Sequence, residues 1–144
     1  MKKALIILAL FAGAGIANAQ KLTEADVPAA VKTEFKSLYP KVTQVKWEKE
    51  DGNFEANFSE NKMATSVLID VNGKLLEVEQ EIAIASLPKE ATDYMAKNLP
   101  GKKIKEASKI KDAAGKTTYE AEVDEVDYTF DSDGKFLKQA KDAD

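Results

Sequence analysis

Two passages of this chain are written twice, in the same order. Phe54-Glu55-Ala56-Asn57-Phe58 is answered 65 positions later by Tyr119-Glu120-Ala121-Glu122-Val123. Ile69-Asp70-Val71-Asn72-Gly73-Lys74-Leu75-Leu76 is answered 61 positions later by Phe130-Asp131-Ser132-Asp133-Gly134-Lys135-Phe136-Leu137. The first passage alternates apolar and polar residues, the period of a half-buried strand. The second sets a glycine behind Asn or Asp, the chemistry of a hairpin turn. Matching features in matching order constrain the chain to a small unit used twice, over about 24–82 and 84–140. The unequal offsets make one loop four residues shorter in the second unit.

Each unit opens with a helix. In the first, Thr23 or Asp26 supplies an N-cap and Pro28 suits the first turn, where no amide donor is needed. Val27, Val31, Phe35 and Leu38 form one apolar stripe, and Tyr39-Pro40 ends it, so the spacing predicts a helix over Asp26 to Leu38. In the second, Ser86 is the predicted cap. Pro88 lies in the first turn, Ala91, Tyr94, Met95 and Leu99 form the stripe, and Leu99-Pro100-Gly101 is the stop. Strands follow: Val45 and Trp47 on one face, then the Asp51-Gly52 turn, then Phe54, Ala56 and Phe58. A polar loop at 59–62 leads to a strand over 63–71, the Asn72-Gly73 turn and a strand over 75–79. Ile104 to Ile110 is a weaker strand, and Ala114-Gly115 turns the chain into Tyr119, Ala121 and Val123. The expected fold is α+β, a tandem repeat of one helix followed by a four-stranded antiparallel sheet, with the helices packed on the sheet. Whether the two sheets join edge to edge stays open.

The first 19 residues are read separately. Met1-Lys2-Lys3 is a positive start, Ala4 to Ile16 is apolar apart from two glycines, and Ala17-Asn18-Ala19 is a small-x-small exit before Gln20. That is the pattern of a secretory signal peptide. Processing would leave 125 residues (20–144) as a single domain, with 19 Lys against 25 acidic residues and a net charge of −6. The expected location is periplasmic or secreted, and no later segment is apolar enough to span a membrane. The acidic balance opposes nucleic-acid binding. The chain has no Cys, His or Arg, which removes disulfides, thiol chemistry and the usual zinc and haem ligands. No cofactor is called for.

Taken together, Leu38-Tyr39-Pro40, Val45-Lys46-Trp47-Glu48, Gly52-Asn53-Phe54-Glu55-Ala56, Tyr119-Glu120-Ala121-Glu122-Val123 and the Asp-x-x-Gly-Lys turns at Asp70–Lys74 and Asp131–Lys135 resemble the PepSY-like family. Its members are periplasmic, beta-lactamase-inhibitor-like proteins abundant in Bacteroidetes. The resemblance covers nearly all of the chain after residue 19. It implies helices packed on an antiparallel sheet, with inhibition or peptide binding suggested by fold likeness. The two units differ in that Trp47 is answered by Ala107 and Val45 by Lys105.

Candidate chemistry is sparse. Trp47, Phe54 and Phe58, with Tyr119 as the counterpart of Phe54, are the candidate partner-binding residues. Aromatics on adjacent strands make a peptide platform, or alternatively they pack beneath the first helix against Val31 and Phe35. Glu120, Glu122 and Asp124 fall on the strand face opposite Tyr119, Ala121 and Val123, which reads as a wet sheet face. Asp131-Ser132-Asp133-Gly134 begins like a calcium loop, but its sixth position is Phe136 and its twelfth Asp142, so a hairpin turn is the better reading and no metal site is assigned. Ser59, Ser66, Ser86, Ser108 and Ser132 have no histidine to activate them. Lys102, Lys103 and Lys105 form a small basic cluster. The function expected is a noncatalytic exported protein that binds a peptide or protein partner, with inhibition as one version. A calcium or envelope-stress ligand-binding protein is one alternative, and a hydrolase with an unrecognised Ser-Lys or carboxylate site is the other.

Overall fold

The structure is a computed structural model that describes residues 20–141. The predicted signal peptide, residues 1–19, lies outside the described residues. By compactness the chain falls into two units, the first running to Val78 and the second beginning at Glu79.

The first unit holds β1 (Gln20–Leu22), α1 (Ala29–Leu38), β2 (Lys46–Glu50), β3 (Asn53–Glu60) and β4 (Met63–Ile69), followed by β5 (Leu75–Glu81), which runs across the boundary. The helix is shorter than predicted at its N-terminus. Glu24–Asp26 forms a separate 3-10 turn, closed by the Asp26 carboxylate accepting from Thr23 N–H at 3.0 Å. Pro28, extended at φ −56° and ψ 146°, then takes the N-cap position of α1. Val27, Val31 and Phe35 face the core as expected, whereas Leu38 is 39% exposed at the helix end. Residues 59–62 are not a loop. β3 and β4 extend to Glu60 and Met63, and Asn61 and Lys62 close the hairpin with φ of 51° and 69°. In β2–β4, Trp47 lies opposite Ala56 and Ala56 opposite Val67, while Phe54 is opposite Ile69, so one face of the three strands is apolar under α1.

The second unit holds α2 (Lys89–Asn98), β6 (Glu106–Asp112), β7 (Thr117–Val123), β8 (Val126–Asp131) and β9 (Phe136–Lys141). Ser86, predicted as the cap of α2, instead ends a 3-10 turn at Ile84–Ser86, and Pro88 again takes the N-cap place. Ala91 and Met95 are buried on Ala107, Ala121, Val123, Tyr128 and Phe130. Both helices end alike: Tyr39 N–H donates to the Phe35 carbonyl and Leu99 N–H to the Met95 carbonyl, each at 2.8 Å.

The strand order corrects the expected fold class. The nine strands are hydrogen-bonded in one sheet, in the order β1 to β9, rather than as a repeated helix with its own four-stranded sheet. The physical reason is the cost of edges: every separate sheet exposes two rows of unpaired N–H and C=O groups. Turn chemistry and alternation specify strands and hairpins, but they carry no record of which edge meets which. The three-residue β1, which has no sequence signature, is paired to β2 with Leu22 opposite Trp47.

Candidate functional site

The predicted aromatic residues are brought together in part, and below the surface. Trp47, Phe54 and Phe58 are 6%, 4% and 8% exposed. The Phe35 ring meets Trp47 edge-on at 5.4 Å between centroids and Phe58 at 5.3 Å, and Tyr39 meets Phe58 at 4.7 Å. These separations are those of favourable aromatic pairs. Burial and the carboxylate of Glu60 push the Tyr39 phenol above its ordinary pKa. Lys49 Nζ stands 5.6 Å from the centre of the Phe54 ring. Tyr119 belongs to the second unit and packs, half-buried, against its core. The sequence offered a surface platform or a core layer for the first three; the structure places them in the core beneath α1.

The opposite sheet face departs from the wet face expected of it. Glu120 and Glu122 do lie away from Tyr119, Ala121 and Val123, but both are half-buried. Glu120 Oε1 accepts from Thr129 Oγ1 at 3.0 Å. Lys105 Nζ lies 3.9 Å from Glu122 Oε1. In the first unit the strand face away from Phe54, Ala56 and Phe58 carries Glu55 at 1% exposure, opposite Leu68, and Ser66 at 1%, opposite Asn57. In the second, Glu79 is 3% exposed. Asn57 Nδ2 and Ser66 Oγ are buried without a hydrogen-bond partner among the described residues. Alternation located these side chains on a face; it gave no sign that Glu55, Ser66 and Glu79 would be buried there.

Asp131 is committed to its turn. Its Oδ1 accepts from the N–H groups of Asp133 and Lys135 at 3.0 and 2.9 Å, the arrangement that Asp70 and Asp112 make in their own turns. A carboxylate oxygen so occupied serves the hairpin that the sequence favoured. Among the described residues no group of three or more acidic side chains gathers to hold a metal ion. Ser66 and Ser108 are buried in the sheet, where a substrate would not reach them. Lys102 Nζ bonds Asp124 Oδ2 at 2.8 Å with both side chains more than half exposed. That hydrogen bond and charge hold Asp124 below the ordinary carboxylate pKa and raise Lys102. No helix among the described residues is long and apolar enough to cross a membrane.

In each unit a helix packs on an apolar face of antiparallel strands, the architecture of an α+β scaffold. The family model described as "Putative beta-lactamase-inhibitor-like, PepSY-like" matches residues 16–77 and 53–138, and the chain belongs to that PepSY-like family. Three solved Bacteroides structures share its fold. A DUF2874 family protein from Bacteroides ovatus is 20% identical with a TM-score of 0.70, covering 81% of this chain and 89% of its own. A protein from Bacteroides eggerthii, described among "putative periplasmic proteins", is 15% identical with a TM-score of 0.72, covering 80% and 88%. A BLIP-like protein from Bacteroides fragilis is 23% identical with a TM-score of 0.66, covering 81% and 88%. The periplasmic location read from the N-terminal sequence agrees with the description of the second. No curated protein matches the sequence.

Proposed function

We propose that this chain is a noncatalytic exported protein, processed before Gln20, that holds a peptide or protein partner at an edge of its sheet, inhibitor-like in mode. The observation that carries this reading is β9. It stands last in the strand order with β8 as its only neighbour among the described strands, and Leu137 on it is 47% exposed. An extended partner gains main-chain hydrogen bonds by adding to such an edge, and alternate side chains read its sequence. Family membership and the BLIP-like description of the Bacteroides fragilis protein support an inhibitory version. In this reading Trp47, Phe54 and Phe58 hold β2 and β3, and Tyr119 holds β7, as the packed layer behind the sheet rather than as the contact surface.

The test is capture from a periplasmic extract by the wild-type protein and by Leu137→Lys, which alters an exposed edge position. The expected outcome is a partner retained by the wild type and lost by the variant. Equal retention by both proteins, or none by either, would overturn the edge reading. Trp47→Ala is the wrong variant here, because deleting a buried aromatic costs about 3–5 kcal/mol of stability and confounds binding with folding.

A further inference from the structure

The two helices cover cores that are filled differently. At the C-terminal end of α1, Phe35, Tyr39, Trp47 and Phe58 fill the space between helix and strands. The residues that answer them in the second unit are Met95, Leu99, Ala107 and Val123, so four aromatic rings become four aliphatic side chains. The aromatic mass of the second unit sits elsewhere: Tyr94 stacks on Phe136 at 4.6 Å and meets Phe130 at 5.7 Å. A hollow of about 360 Å³ is left at the C-terminal end of α2, lined by Ile84, Met95, Leu99, Ile104 and Val123, with Lys102 and Lys103 also on its wall. It is open to solvent along one side, with Met95 and Val123, 3% and 4% exposed, as its floor.

The chemistry of the rim also changes between the units. Val42, which packs on the first core, is answered by Lys102, and Thr43 by Lys103. Asp124 engages Lys102, whereas Lys103 has no acidic partner among the described residues. An apolar wall with a cation beside it fits a ligand that is apolar along its length and anionic at one end. We propose that this hollow binds a medium-chain acyl carboxylate, with the chain against Met95, Leu99 and Val123 and the head group at Lys103. The site lies wholly within the second unit and does not depend on β9.

The experiment is calorimetric titration of the purified protein with hexanoate, octanoate and decanoate below their micellar range, with decanol as the neutral control. Saturable one-to-one binding is expected, with affinity rising by about twofold per added methylene, below the three- to fourfold of a fully buried chain because one side of the hollow is open. Lys103→Gln should weaken decanoate by about two- to fivefold, the scale of an exposed ion pair, and leave decanol unchanged. Leu99→Tyr, which restores the ring that Tyr39 supplies in the first unit, should abolish binding of both. Because Leu99 is only half-buried, that variant is expected to fold, and its circular dichroism spectrum checks this. Methyl resonances of Ile84, Leu99, Ile104 and Val123 should shift on titration. Absence of saturable decanoate binding would overturn the proposal, and so would binding that Leu99→Tyr leaves intact or shifts confined to other methyls.

Discussion

Asp124 and Glu125 close the β7–β8 hairpin with φ of 52° and 65°, a left-handed pair that Asp tolerates better than most residues. The Lys102 ammonium holds the Asp124 carboxylate below its ordinary pKa, chiefly by hydrogen bonding and then by charge. A depressed carboxylate stabilises the fold above its unfolded value, and the contribution is lost as pH falls through the folded value. Lys102 is raised, so its share is lost as pH climbs through its folded value. The difference in urea midpoint between the wild type and Asp124→Asn should therefore be present at pH 7, small because both groups are exposed, and should vanish at strongly acidic and strongly alkaline pH. A difference that does not vary with pH would assign the effect to turn geometry instead. Strand parity made the face of Glu120 and Glu122 legible, but the depth of Glu55 was not. A side chain's face follows from its own strand, whereas its burial follows from what the remainder of the chain lays over it.

The hairpin turns Asp70–Lys74, Asp112–Lys116 and Asp131–Lys135 are one device built three times, each with an Asp carboxylate bonded to two backbone N–H groups. Two of them also meet a helix. A Cβ on Gly73 would stand 2.8 Å from the Ala30 carbonyl oxygen, and one on Gly134 would stand 2.8 Å from Ala91 N and Pro88 Cβ. Gly115 has the same positive φ but only Lys111 Cε, at 3.9 Å, nearby. Gly115→Ala should cost the backbone strain alone, about 1 kcal/mol. Gly73→Ala and Gly134→Ala should each cost roughly 1–3 kcal/mol more, because the helix start has to move. Urea denaturation of the three variants checks this, and equal losses would remove the helix contact from the account. The sequence announced these glycines as turn residues. Their second duty was hidden, since contact with a helix some 43 positions away leaves no local pattern. The helix starts were misplaced for a related reason: the Thr23–Asp26 and Ser86 signals belong to short 3-10 turns that precede Pro28 and Pro88.

Across the whole chain, each helix, apart from its start, and most strands were readable from period and turn chemistry, while the single sheet was not. Its two outer strands, β1 and β9, each have one neighbour, and the inner strands have two. Amide hydrogen exchange should accordingly be fastest in β1 and β9 and slowest in β3, β4 and β8, where both faces carry buried residues. Protection in β9 equal to that in β8 would show that another chain already covers the edge. The strand order has a kinetic side as well. Among the described residues every hydrogen-bonded neighbour is also the next strand along the chain, and no strand waits for a partner made much later. Pairings of that kind keep loop closure short and favour fast folding. A polypeptide emerging N-terminus first from a membrane channel could therefore add its strands one at a time as they arrive, with little of its length left exposed before it has somewhere to pair.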